Sequence, residues 1–164
     1  EARYLRDVWR LLRTLPVPTM AAMHGFSIGS GLEMALCCDL RIASDDARFR
    51  LPEVALGMLP FATGSQTLPR IVGRSRALEL LLTSRWFEAE EALRMGLVHR
   101  VTPRAQLESA ALELLATVRA HLKGARRRAK AALRNGADLS LALGLEVESR
   151  LASGALWESV HSRQ

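Results

Sequence analysis

Apolar residues recur at helical spacing from the start of the chain. Tyr4, Leu5, Val8, Leu11, Leu12 and Leu15 stand three or four residues apart with arginines between them, which predicts an amphipathic helix over residues 3–14. Pro16 and Pro18 stop it, because proline removes a backbone donor and restricts the residue before it. Pro18 to Met23 is then an apolar run of strand length, expected to be buried on both faces, and His24-Gly25 closes it. Gly29-Ser30-Gly31 leads into an apolar, helix-favouring run from Leu32 to Cys38. A strand at Leu40–Ala43, a turn at Ser44–Ala47 and an extended piece at Arg48–Leu51 follow.

Helical spacing dominates from Leu78 onward. The pattern predicts helices at Ala77–Leu82 and Ala89–Met95, a stop at Gly96 and a last strand at Leu97–Val101. Leu107–Leu122, Ala125–Leu133 and Leu139–Trp157 complete a helical tail, separated by Gly124 and Gly136. Alternating strand and helix followed by helix alone implies an α/β core over residues 1–102 and a helical region over 103–164. The apolar stripes of those last helices need covering, and contacts between subunits are one way to do it.

Composition adds limits. With 164 residues, 49% of them hydrophobic and 24% charged, the chain is long enough for one domain with a genuine core. No apolar run reaches the roughly 20 residues of a membrane span, and the first residues do not read as a signal peptide, so a cytoplasmic protein is expected. The chain starts with Glu1 rather than Met, which suggests a processed start or a piece of a longer protein. Cys37 and Cys38 are adjacent, which does not suit a disulfide, and read as two buried thiols. The net charge of +6 owes much to the stretch Arg119–Arg134, which reads either as a solvated helix face or as a contact for a phosphate-bearing cofactor or RNA.

Three features bear on chemistry. A glycine-rich turn feeding a helix presents unpaired amides that suit an oxyanion or a phosphate, although glycines there also permit close packing. Glu33 lies in an otherwise apolar run and is either functional, exposed or ion-paired. Glu53, in Leu51-Pro52-Glu53-Val54, is either functional or an acid at a helix N-terminus. Two carboxylates at strand-to-helix transitions could share acid/base work if the fold brings them together. His24, His99, His121 and His161 show no metal-ligand spacing, and His24 reads as structural. No nucleophile-elbow serine is present.

The run His24-Gly25-Phe26-Ser27-Ile28-Gly29-Ser30-Gly31-Leu32-Glu33-Met34-Ala35-Leu36-Cys37-Cys38-Asp39 resembles the signature of the enoyl-CoA hydratase/isomerase (crotonase) family. Arg48–Glu53 with Leu56-Gly57-Met58-Leu59-Pro60 resembles that family's second glutamate segment. Gly64–Gly73 is similar to its next helix, and Glu91-Ala92 with Gly96-Leu97-Val98 to a later helix-to-strand element, all in order over residues 3–160. The resemblance implies a ClpP/crotonase-like α/β fold of repeated strand-strand-helix units, with a helical C-terminal region for trimer or hexamer assembly. It implies that Glu33 deprotonates the water attacking the β-carbon of a trans-2-enoyl-CoA, and that Glu53 protonates the α-carbon. The backbone N–H of Ser30 would serve the thioester oxygen, and Gly29, Gly31, Leu59, Pro60 and Phe61 would line the substrate site. No metal or redox cofactor is implied, since coenzyme A arrives as part of the substrate.

Four departures from that pattern stand out. Ser30 replaces a common glycine, and Phe61 and Thr63 replace small residues, which is expected to reshape the acyl pocket. The family's N-terminal region and its last C-terminal helix are not in this sequence, so a fragment is expected. Two other functions fit parts of the pattern: double-bond isomerisation or another enolate reaction, and RNA binding or a non-catalytic assembly role, motivated by the basic stretch 119–134 and the truncation and tested by neutralising Arg126, Arg127 and Arg128.

Overall fold

The computed structural model describes residues 2–161. Two compact units make up the chain: one of Glu1–Leu15 with Thr19–Glu113, the other of Pro16–Pro18 with Leu114–Gln164.

The first unit begins with α1 (Ala2–Thr14), β1 (Met20–Met23), β2 (Phe26–Ile28), α2 (Ser30–Leu36), β3 (Leu40–Ser44) and β4 (Arg48–Arg50). It continues with α3 (Gly64–Val72), α4 (Arg74–Thr83), β5 (Phe87–Glu88), α5 (Ala89–Arg94), β6 (Arg100–Thr102) and the start of α6 (Leu107–Arg119). One sheet has the order β1-β3-β6 and is parallel, with Met23 opposite Ala43 and Ala43 opposite Val101. The other has the order β2-β4-β5, with β2 parallel and β5 antiparallel to β4. The first four strands thus alternate between the sheets, β1 and β3 in one and β2 and β4 in the other. Gly25 makes the first crossing at φ 56°, a conformation that other residues adopt only with strain. Its carbonyl accepts the Arg48 N–H at 2.7 Å, which ties the corner to β4. The result is the strand-strand-helix repeat expected of a crotonase-like fold, as β1-β2-α2 and then β3-β4-α3.

The core lies between these sheets and the helices. Leu32, Phe49, Leu51, Leu68, Leu80 and Leu97 are fully enclosed in one apolar cluster. Each such side chain contributes about 1.5–3 kcal/mol relative to staying in water. Phe49 stacks on Phe87 at 5.3 Å, joining β4 to β5. β3 has a neighbour on each side, so Arg41, Ile42, Ala43 and Ser44 are all buried. The Arg41 guanidinium donates to backbone carbonyls: Nε to Leu97 O and Nη1 to Cys38 O, both at 2.6 Å.

Several elements differ from the sequence reading. Burial of β1 on both faces was expected, yet Ala22 is exposed while Met23 beside it, on the opposite face, is buried. The last strand starts at Arg100, not Leu97. Leu97 and Val98 instead form a buried turn whose N–H groups both donate to Ala92 O. β2 and β5 were not anticipated, since two or three residues are too few to show alternation. Of the two thiols, Cys37 is buried but Cys38 only half-buried.

The second unit holds the rest of α6, α7 (Lys123–Gly136) and α8 (Leu141–His161). The break between α6 and α7 falls at residues 120–122, so Gly124 lies inside the first turn of α7 rather than separating helices. α7 and α8 approach each other at Gly136 and Gly144, where a Cβ on Gly136 would lie in ordinary contact with the Cα of Gly144 at 3.6 Å. No helix among the described residues is long and apolar enough to cross a membrane.

Candidate active site

The site is built on the turn between β2 and α2. Gly29 adopts φ 51° and ψ −125°, a backbone state that suits glycine. Its N–H donates to Arg50 O at 2.9 Å, and its carbonyl accepts the Glu33 N–H at 2.9 Å, so one residue fastens the turn to β4 and starts α2. The first amides of a helix have no partner within it and carry partial positive charge. Ser30 and Gly31, the first two residues of α2, are exposed. The indole N–H of Trp9 donates to Ser30 O at 3.2 Å and holds the turn from the α1 side, within a small buried cluster of Trp9, Cys37 and Ala62.

Glu33 follows on the inner face of α2 and is 1% exposed. It is neither on an exposed face nor in an ion pair. Oε1 accepts the amide hydrogens of Thr63 at 2.9 Å and Gly64 at 2.6 Å, from the start of α3. Gly64 is required by proximity, since a Cβ there would lie 2.9 Å from the same oxygen. The Thr63 hydroxyl lies 3.4 Å from the Cys37 thiol, so the residue holding Glu33 is itself held from α2. Burial pushes the Cys37 thiol up.

Glu53 comes from the other segment, after β4 and Pro52. It precedes the 3-10 turn Val54–Leu56, but its side chain makes no cap hydrogen bond there. It is 7% exposed, and its Oε2 is enclosed with no hydrogen-bond partner. Its other oxygen faces Gly29: a Cβ on that glycine would meet Oε1 at 2.8 Å. Burial raises the Glu53 pKa above the ordinary carboxyl value, partly offset by a hydrogen bond from its own backbone, and the charge of Glu33 adds to the rise. Glu33 and Glu53 are therefore close enough to interact. The neighbouring cation does not neutralise them: Arg50 donates through Nε to Ser84 O at 2.7 Å and packs over Trp86.

Of the other residues expected at the site, Pro60 is buried, and its Cβ would lie 3.1 Å from a Cβ on Gly64, beside Glu33. Leu59 and Phe61 on either side of it are exposed. His24 is exposed at the end of β1. Three residues that the sequence reading did not connect with the glutamates belong to this network: Trp9, Thr63 and Gly64. Thr63 had been expected only as bulk in an acyl pocket.

A buried carboxylate fixed by amides, a second carboxyl biased toward its protonated form and an amide-bearing turn form an arrangement suited to moving protons beside a developing oxyanion.

Comparison with known proteins bears on the family and the fold. The family described as enoyl-CoA hydratase/isomerase matches residues 2–160. A short-chain-enoyl-CoA hydratase of Clostridium acetobutylicum is 40% identical over 144 residues, 87% of this chain and 55% of that protein. The crystal structure of an enoyl-CoA hydratase from Bacillus anthracis superimposes with a TM-score of 0.93 at 37% identity, covering 94% of this chain and 60% of the other. A Thermobifida fusca chain solved in complex with acetoacetyl-CoA gives 0.88 at 36% identity, covering 93% and 60%. The chain spans about half the length of the curated relatives it matches. On its sequence match and its fold together, this chain belongs to the enoyl-CoA hydratase/isomerase family.

Proposed function

We propose that this chain carries the acid/base half of an enoyl-CoA hydratase, which adds water to a trans-2-enoyl-CoA to give a 3-hydroxyacyl-CoA. The observation that supports this most is the pairing of Glu33 and Glu53 across the Gly29 turn, each buried and neither ion-paired among the described residues. Glu33 takes a proton from water, and the hydroxyl adds to the β-carbon. The double-bond electrons move toward the thioester oxygen, where the Ser30 amide stabilises the charge. Removing such a donor costs about 3–4 kcal/mol in other oxyanion holes. Glu53, biased toward the protonated form, delivers its proton to the α-carbon, and the sum is one water added.

Gly29, Gly31, Leu59, Pro60 and Phe61 border the acyl and thioester positions in this reading. Coenzyme A enters with the substrate, and neither a metal nor a redox group takes part. The exposed leucines of α7 and α8, with Leu133 76% and Leu141 80% exposed, support assembly into a trimer or hexamer of copies. A cytoplasmic location is part of the same proposal. The test is formation of 3-hydroxyacyl-CoA from a trans-2-enoyl-CoA, scored against double-bond migration in the same sample. Hydration in excess supports the reading, and migration without hydration replaces it with isomerisation.

A further inference from the structure

The basic stretch noted in the sequence gains a definite shape in the second unit. Val17, Pro18, Leu115 and Val118 make the floor of a cavity of about 230 Å³. Arg119, Lys123, Arg126 and Arg127 complete its lining, and no carboxylate does. None of these four cations is ion-paired among the described residues. The Nε–H of Arg126 is enclosed and has no acceptor. Lys130 of the same helix adds a further positive charge, its ammonium donating to Val17 O at 2.9 Å. Helix α7 starts here with no acidic residue in its first turn and no side-chain cap.

A solvated helix face spreads its charges and leaves no donor enclosed. Here the cations surround an apolar floor, and a buried donor lacks a partner, which is costly unless a ligand supplies one. Arginine forks match the oxygens of phosphate with two parallel hydrogen bonds, and four cations exceed what a single negative charge needs. The volume has room for about seven or eight waters, too little for a large cofactor but enough for a phosphate with a ring-sized body. We infer that this cavity binds a small phosphate ester, its dianionic head among Arg119, Lys123, Arg126 and Arg127 and its apolar body on Val17, Pro18, Leu115 and Val118. This inference does not depend on the hydratase reading.

The test is calorimetric titration of the whole protein at low salt with phenyl phosphate, inorganic phosphate and phenol. Phenyl phosphate is expected to bind about tenfold more tightly than inorganic phosphate, and phenol not measurably. Affinity falls as the phosphate loses its second charge near its pKa of about 6. Arg126→Gln weakens binding about tenfold, and Arg119→Gln does likewise, with melting curves checking that each variant folds. Competition by coenzyme A that depends on Arg126 assigns the ester to the nucleotide end of a thioester; no competition assigns it to a free phosphate ester. No binding of phenyl phosphate up to about 10 mM, or binding unchanged in both arginine variants, overturns the inference. So does a salt-sensitive gel shift with single-stranded RNA in the absence of phenyl phosphate binding.

Discussion

A methyl group placed on Gly29 would stand 2.8 Å from Oε1 of Glu53. The turn and the carboxylate are therefore fitted to each other, and Gly29 also needs its positive φ. Gly29→Ala is expected to displace Glu53 and lower turnover about 100-fold, since a shift of about 1 Å in a catalytic group has that effect. Kinetics beside a thermal melt check this. Unchanged turnover in Gly29→Ala would show that Glu53 does not need this position.

Glu33 offers a way to separate charge from structure. Its Oε1 accepts two amides, and a glutamine carbonyl can accept the same pair. Glu33→Gln is thus expected to fold with nearly the parent stability. Glu33→Ala leaves the Thr63 and Gly64 amides without an acceptor and is expected to lose about 2–4 kcal/mol in denaturant unfolding. Equal stability of the two variants would refute the amide clamp.

Glu53 predicts a pH dependence. Burial raises its pKa in the folded chain above the ordinary 4.5, so between those two values the folded state holds more of the proton than the unfolded state. Its contribution to stability falls as pH rises through that window and is lowest above it. Glu53→Gln removes this loss. The variant is expected to melt above the parent at about pH 8, with the gap closing toward about pH 4. A parent that melts higher than Glu53→Gln at about pH 8 would contradict the assignment.

Arg41 is a structural counterpart. It is buried, and its guanidinium donates to the carbonyls of Leu97 and Cys38, linking β3 to the turn before β6. Arg41→Met leaves both carbonyls unsatisfied and is expected to cost about 2–4 kcal/mol, seen as a lower melting temperature. Stability equal to the parent's would mean that water replaces both bonds.

Much of the site was legible in the sequence because a carboxylate in an apolar run is conspicuous. Glu33 and Glu53 stand out for that reason, and Gly29-Ser30-Gly31 for its position before a helix. Trp9 did not stand out: on an amphipathic helix it reads as one more apolar position, and only the folded chain brings its indole to Ser30 O. The Thr63 and Gly64 amides leave no mark in sequence, since every residue but proline has one. Long periodic elements such as α1 and α6 were readable, whereas β2 and β5 rest on pairing with β4 rather than on any local pattern. The exposure of Ala22 depends on what packs over its face of β1, a matter of tertiary packing that no local window contains.

In the proposed reaction Glu33 and Glu53 move the protons. The most direct test of that claim is the turnover of a trans-2-enoyl-CoA by Glu33→Gln and by Glu53→Gln in the intact protein, with each variant's melting curve beside it. Each is predicted to lower kcat by about 10²–10⁴-fold while remaining folded. Near-parent turnover in either folded variant would contradict the claim.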